Sequence, residues 1–487
     1  MGLPLYTVAQ LRAAEADAQR TLAAGTLMQR AGAAAARQIA QRIGPRRSVA
    51  VVCGAGNNGG DGYVAAARLA ERGHAVVCWA LAEPTTEDAR AAAAAWRAGG
   101  GAVVTSLDAG CAFDAVLDAL FGIGLTRPLS GDYLKAALWI NSYPRRSIFA
   151  LDVPSGLDAD RGGWVGGVPG VEAGTTVTFL GAKPGLFTAA GRDAAGDVLV
   201  ETLGVPLPAS ETSLADVQDF ASVCRPRRHD SHKGTYGSLG VLGGNIGMVG
   251  AALLAARAAL RLGAGRVYVE LIGAPQLRLD PQQPELMFRP LGSVAALDAL
   301  VVGCGLGADE AAHQALAWAI ASPSALVLDA DALNLLAADA SLAASLHERR
   351  AATVLTPHPL EAARLLGVEA AEVQRDRLHA ARALAAHTGA VTVLKGSGTV
   401  IARSDGRAWI NPTGGPALAT PGSGDALAGM IGALLAQRFG AVEATLAAVW
   451  LHGAAADAHG GDVGLTAGDL APLAARRLIE LRRAASG

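Results

Sequence analysis

The chain predicts an α/β fold in two domains, each a mostly parallel sheet with helices on both faces. Three observations carry this expectation. Short apolar runs alternate with Ala-rich helical stretches along most of the sequence. At 487 residues the chain exceeds the size at which one hydrophobic core keeps growing. Two Gly-rich segments, Gly54–Gly62 and Thr420–Asp425, each stand between an apolar strand and a helix. Loops of that kind bind anions, because glycines let backbone N–H groups approach a phosphate and a helix N-terminus adds partial positive charge.

Taken in order, Thr7-Val-Ala-Gln10 and Thr26-Leu-Met-Gln29 match the capping box and predict two leading helices, the second ending near Gly44-Pro45. Strand-like and helical runs then alternate. Val49–Cys53, Ala75–Leu81, Ala102–Ser106, Ala115–Leu120 and Ser147–Leu151 read as strands, with helices to about Arg72, through Ala89–Ala98 and around Leu134–Ser142. Gly204–Ser213 carries two prolines and no periodicity, which marks the domain boundary and assigns residues 1–213 and 218–487 to separate domains. The second series has strands Leu239–Leu242, Arg266–Leu271, Ala299–Val302, Ala325–Asp329, Ala352–Leu355 and Val391–Leu394, and helices through Ala251–Leu262, from Glu310, from Ala332 and after Gly424.

Aromatic residues make up only 4% of the chain while glycines number 61, so packing must rest on small and branched aliphatic side chains. A net charge of -2 leaves no electrostatic footprint for nucleic acid or an acidic membrane, and favours a small-molecule partner. The five cysteines are scattered singly and read as buried thiols in a reducing compartment. Neither a secretory leader nor a long apolar run stands out, so a cytoplasmic protein is expected, without a membrane span.

Gly54-x-Gly56-x-x-Gly59 after a strand fits the dinucleotide fingerprint. Here, however, the loop is filled by Asn57-Asn58-Gly59-Gly60-Asp61, and a carboxylate at that position is a poor cradle for pyrophosphate. Further loops, Asp118–Pro128, Asp152–Asp158 and Thr178–Leu186, fall where strands should end, and in an open α/β sheet such loops converge on one crevice. Oxygen donors there would suit a hard cation, potassium better than a divalent ion. For any single aspartate the plainer reading is a loop cap.

Together G-x-G-N-N-G-G-D-G, D-A-L-F-G-x-G and D-V-P-S-G-L-D resemble the epimerase half of the bifunctional NAD(P)H-hydrate repair enzymes, over about residues 1 to 210. The resemblance implies a Rossmann-like three-layer domain in which Asn58, Asp118 and Ser155 hold potassium. It also implies that Asn57, Asn58, Gly59, Gly60 and Asp61, together with Gly122, Ile123, Gly124, Leu125, Thr126, Arg127 and Pro128, contact the hydrated dinucleotide. Asp152 would sit against the hydrated nicotinamide and serve as the acid/base group that epimerisation requires. Gln29 stands where the family commonly has glutamate.

In the second half, Gly422-Ser-Gly-Asp425 at a helix start places a proton acceptor beside an anion-binding helix end, the arrangement that phosphoryl transfer needs. An isolated G-x-G-D is more often an ordinary capped helix. Its company is specific: Lys395-Gly396-Ser397-Gly398-Thr399, Val302–Gly307, Gly243–Ala251, Leu328–Asn334 and Thr356–Glu361 resemble the ribokinase-like NAD(P)H-hydrate dehydratases, over about residues 218 to 487. That resemblance implies that Lys395–Thr399 and Gly424 bind the adenine nucleotide, and that Ala251, Gly307, His358 and Asp425 face the hydrate. Gly250, Ala252 and Gly305 match equally well beside two of these.

The implied chemistry phosphorylates the ring hydroxyl so that phosphate leaves in place of hydroxide, restoring NADH or NADPH. ADP is the implied donor, magnesium its companion, and a homo-oligomer the implied assembly. Two other readings stay open at this stage: a vitamin-precursor or sugar kinase with a ligand-sensing domain, since G-S-G-D fits the wider kinase group, and an NAD-dependent dehydrogenase on residues 49 to 160.

Overall fold

The structure, a computed structural model, describes residues 2–106 and 111–485. It forms two compact units, Pro4–Ser210 and a second running from Glu211 to the C-terminus, with which the residues before Pro4 are grouped.

The first unit runs β1 (Pro4–Leu5), α1 (Val8–Gln19), α2 (Thr26–Ile43), β2 (Ser48–Cys53), α3 (Asn57–Glu71), β3 (Ala75–Ala80), α4 (Glu87–Ala98), β4 (Ala102–Val104), β5 (Ala115–Ala119), α5 (Gly131–Ile140), β6 (Ile148–Leu151), β7 (Thr175–Phe179), α6 (Gly191–Ala194) and β8 (Asp197–Glu201). Seven strands pair in the order β4-β3-β2-β5-β6-β7-β8, every pair parallel, while Leu5 of β1 bridges Ala182. The period of two along β2 builds both faces. Val49, Val51 and Cys53 join the core beneath α2, α3 and α4, whereas Ala50 and Val52 join Ala136, Ala137 and Ile140 of α5 on the other side.

Two local expectations are corrected. Thr7 caps α1 with the full capping box, but Thr26 lies inside α2; the chain enters that helix through Gly25 at φ +74°, one residue earlier, which leaves Thr26 no cap role. The segment after β2 is not a loop as far as Gly62, since α3 already begins at Asn57. Its glycines serve packing: a Cβ at Gly59 would lie 1.9 Å from the Gly54 carbonyl oxygen, and one at Gly62 would lie 2.6 Å from the Ala119 Cβ.

The second unit runs β9 (Thr212–Leu214), β10 (Ser238–Gly243), α7 (Val249–Arg261), β11 (Arg266–Leu271), β12 (Met287–Phe288), β13 (Ala299–Val302), α8 (Glu310–Ala321), β14 (Ala325–Leu328), α9 (Asp331–Ala338), α10 (Ala340–His347), β15 (Thr353–Leu355), α11 (Pro359–Leu366), α12 (Ala370–Arg375), α13 (Arg377–Thr388), β16 (Val391–Leu394), β17 (Val400–Ala402), β18 (Ala408–Ile410), α14 (Ser423–Ala436), α15 (Ala441–His459) and α16 (Ala467–Ala484). Its strands follow the order β9-β18-β17-β16-β15-β14-β13-β10-β11-β12. The pairs from β12 to β16 are parallel, and β16-β17-β18 turn antiparallel, a hairpin extension absent from the sequence reading. Leu239 and Val241 face α7, α14 and α15, while Leu242, Leu300 and Val302 face α8, α9 and α10. The unit therefore has three layers, with helices on both faces of the sheet. No helix of the described residues is long and apolar enough to cross a membrane.

Small residues set the helix spacing in the first unit. A Cβ on Gly32 of α2 would fall 2.4 Å from the Val64 Cβ and 2.7 Å from the Asp61 carbonyl oxygen of α3. Gly32→Ala is therefore expected to destabilise this unit by about 1–3 kcal/mol through overpacking. The check is chemical denaturation, where the first unit's midpoint should fall and that of the second stay in place.

Candidate active sites

At the carboxyl edge of the first sheet lies a cavity of about 410 Å³. Asn57, Asn58 and Asp61 of α3, the Gly122–Leu125 turn, Asp152 and Lys183 all reach its wall. Thr126, Arg127 and Pro128 are exposed and lie outside the lining, while Gly59 and Gly60 pack inward behind it.

Asp152 follows β6 with φ +66°, a conformation costly for a non-glycine residue. Its Oδ1 meets the Lys183 Nζ at 2.5 Å, and its Oδ2 accepts the Ile123 N–H at 3.1 Å. Lys183 also donates to the Thr178 hydroxyl at 2.7 Å and the Phe179 carbonyl at 2.8 Å, so all three ammonium protons are engaged. The lysine side chain is 1% exposed, and burial pushes its pKa down against the pull of Asp152. A Cβ at Gly122 would come 2.6 Å from the Asp152 Oδ2, so only glycine lets the turn approach the carboxylate.

Beneath the cavity wall Asp118 is fully buried. Its Oδ1 accepts the Ser155 hydroxyl and its Oδ2 the Ser155 N–H, both at 2.7 Å, and the Leu120 N–H binds the Oδ1 at 3.2 Å. Burial lifts its pKa to about 6 despite these bonds. The Phe121 N–H donates to the Ser155 Oγ at 2.9 Å. Both side-chain atoms of Asn58 are buried without a hydrogen-bond partner, which is costly unless something else meets them. Asn58, Asp118 and Ser155 thus offer oxygen donors that fit a potassium ion, with the carboxamide of Asn58 in need of a partner.

In the second unit Asp329 follows β14, 1% exposed, and accepts from the Lys395 Nζ at 2.6 Å and the Thr356 hydroxyl at 2.8 Å. Burial opposes the Lys395 charge, but Asp329 and Glu361 outweigh it and hold the pKa above its usual value. Asp425, in the first turn of α14, is raised to about 6 by burial and then by the Asp329 charge. Its carboxylate, that of Asp329 and the Cys304 thiol lie within 4.8 Å of one another. The thiol is a soft donor and Asp329 is already bound by Lys395, so this group does not form a magnesium cage.

Gly422 caps α14 at φ +83°, and a Cβ at Gly424 would stand 3.3 Å from the Lys395 Nζ. The lysine head and the amide end of α14 therefore face one spot, beside Asp425. His452, 7% exposed, has its Nε2 3.0 Å from the Ser423 carbonyl oxygen, and burial lowers its pKa to about 4. Arg377 braces the Lys395–Thr399 turn, donating to the Leu394 and Lys395 carbonyls at 3.2 Å.

His358 is chiefly a helix cap: its Nδ1 accepts the Leu360 N–H at 3.1 Å, while its own N–H binds Glu361, whose pKa burial pushes up to about 7. Gly307, at φ +80°, donates its N–H to Asp331 at 2.8 Å, and Ala251 packs against the position that a Cβ on Gly305 would take. Sequence reasoning gave no role to Lys183, Asp329, Glu361, Arg377 or His452. Lys183, Asp329 and Glu361 do stand in motifs at strand ends, and that placement was the available signal.

Fold and sites define a two-domain α/β enzyme, with a buried Asp152–Lys183 pair near the buried oxygens of Asp118 and Ser155 in one unit, and with Asp425 and Lys395 at the N-terminus of α14 in the other. The family described as YjeF-related protein N-terminus matches residues 24–185, and the family described as NAD(P)H-hydrate dehydratase matches residues 239–479. The bifunctional NAD(P)H-hydrate repair enzyme Nnr of Escherichia coli is 39% identical over 461 residues, covering 91% of this chain and 87% of that relative. The Coxiella burnetii protein of the same name is 37% identical over 465 residues, covering 92% and 93%. A solved ADP/ATP-dependent NAD(P)H-hydrate dehydratase from Bacillus subtilis, co-crystallised with ATP and Mg2+, is 33% identical and covers 55% of this chain and 97% of that one, with a TM-score of 0.49. The chain belongs to the bifunctional NAD(P)H-hydrate repair enzymes.

Removing the ammonium while leaving its partner buried tests the first site's electrostatics. Lys183→Met is expected to cost about 3–5 kcal/mol, because Asp152 becomes an uncompensated buried charge. Equilibrium unfolding should report this as a lower midpoint confined to the first unit.

Proposed function

We propose that the chain restores damaged nicotinamide nucleotides, the first unit equilibrating the R and S hydrates of NADH and NADPH and the second dehydrating the S form with ADP. The observation that carries this reading is the coexistence in one chain of two differently equipped carboxylates, one buried and one half-buried. Asp152 is held by a saturated lysine beside an oxygen-donor nest, and Asp425 is held beside a lysine and a helix N-terminus.

In the first site Asp152 is the acid/base group, and Asn57, Asn58 and Asp61 with Gly122–Leu125 line the space for the hydrated dinucleotide. Potassium would be held by Asn58, Asp118 and Ser155. It would supply a fixed positive charge beneath the wall.

In the second site Asp425 accepts the proton of the ring hydroxyl while the terminal phosphoryl group of ADP passes to that oxygen, releasing AMP. Lys395 and the Gly424 N–H stabilise the charge on the transferring group. Lone-pair donation from the ring nitrogen then breaks the C–O bond and expels phosphate. Loss of a proton from the neighbouring ring carbon regenerates the dihydronicotinamide. Magnesium would enter on the phosphate oxygens of ADP. Ala251, Gly307 and His358 are assigned to the hydrate side, and Lys395–Thr399 to the nucleotide. The enzyme is expected to act in the cytoplasm, as a homo-oligomer.

A base with a pKa of about 6 works only when deprotonated, so kcat/KM for dehydration should rise with pH through about 6 and level off above it. Asp425→Asn should lower dehydration roughly 100- to 10,000-fold and remove that rise, with epimer interconversion unchanged. Dehydration by the variant within a few-fold of wild type would contradict the assignment.

A further inference from the structure

The cavity of the first unit has more carboxyl groups than cations able to neutralise them. Glu15, Asp61, Asp88 and Asp152 line it together with Lys183 and Arg12. Lys183 spends its three protons on Asp152, Thr178 and Phe179. Asp152 accepts from Lys183, from the Ile123 N–H and, at 3.4 Å, from the Phe179 N–H, so its two oxygens are already taken as acceptors. Lys183 is therefore not placed to give a proton away, and Asp152 is set up first as an acceptor.

A proton donor must therefore be one of the other three. Asp88 lies in the first turn of α4, beside the positive end of that helix. Burial and then the Asp152 charge raise the Glu15 pKa, but Glu15 stands one turn after Arg12 on α1, and that guanidinium and Lys183 oppose the rise. Asp61 has neither support. It is the fifth residue of α3, past the turn in which helix-end charge acts. Its carboxyl makes no hydrogen bond or ion pair among the described residues. Burial and then the charges of Asp152 and Glu15 push its pKa well above the usual carboxylate range.

We propose that Asp61 is the proton donor of the first site, an inference that rests on the epimerase reading above. The ring nitrogen's electron pair forms a C=N bond as the C–O bond breaks, and the Asp61 carboxyl proton leaves with the hydroxyl as water. Water then adds to the other face of the same carbon, the C=N pair returns to nitrogen, and the proton shed by that water passes to Asp152. The two carboxyls exchange roles in the reverse direction, as conversion between two epimers requires. Two carboxyls in a single cavity, set apart by their surroundings, are the usual means of dividing acid from base.

The test uses the full-length protein without ADP, with one purified NADH hydrate epimer and chromatographic separation of the two. Asp61→Asn keeps the shape but has no proton to give. The variant is expected to bind the hydrate by calorimetry within a few-fold of wild type and to interconvert epimers roughly 100-fold more slowly. The wild-type rate should fall as rising pH strips the Asp61 proton, and the variant's residual rate should lack that fall. Loss of hydrate binding, turnover within a few-fold of wild type, or the same alkaline fall in the variant would each overturn the proposal. If wild type interconverts no epimers, the epimerase reading itself fails. If wild type is active and Asp152→Asn is inactive while Asp61→Asn is active, only the assignment of Asp61 fails.

Discussion

Each unit sets a lysine against a buried aspartate at the carboxyl edge of a parallel sheet, at 2.5 Å for Lys183 and Asp152 and at 2.6 Å for Lys395 and Asp329. Removing two charges from water is expensive, and such a pair survives only with good geometry and further hydrogen bonds. Lys183 has Thr178 and the Phe179 carbonyl, while Asp329 has Thr356. Much of each site follows from that requirement. The positive φ of Asp152 turns its carboxylate toward the lysine, and the glycine at 122 leaves room for the approach.

The two pairs are used differently. In the first unit the ammonium is saturated, so it fixes the charge and position of Asp152 and takes no further part. In the second unit the lysine head also faces the amide end of α14, where it adds to the positive end of that helix. Burial lifts Asp425 to about 6, which suits a base working near neutral pH. The difference corresponds to the chemistry proposed for each, proton movement at a carbon in one and phosphoryl transfer to an oxygen in the other.

Much of this was legible in the sequence. Arg266–Leu271, Ala299–Val302 and Val391–Leu394 have the bounds that the sequence predicts: Ala299–Val302 is a continuous apolar run, as a buried parallel strand is, while Arg266–Leu271 alternates between buried and half-buried residues. The β16-β17-β18 hairpin was not legible, since Val400–Ala402 and Ala408–Ile410 are three-residue strands too short to show a period. The glycines of Asn57–Gly62 pointed to a loop by composition but serve close helix packing, which only tertiary contacts show. The roles of Lys183 and Lys395 depend on partners 31 and 66 residues away. Local pattern cannot supply such pairings, and motif context could only mark the lysines as standing at strand ends.

The central claim is that one chain both interconverts the hydrates and removes water from one of them. Purified protein, supplied with an equal mixture of hydrate epimers, ADP and magnesium in potassium buffer, should return all of the dihydronicotinamide absorbance and release AMP and phosphate in equal amounts. With the Asp152→Asn variant, recovery should stop near half and then creep at the spontaneous rate. No recovery by wild type, or complete fast recovery by that variant, would contradict the account.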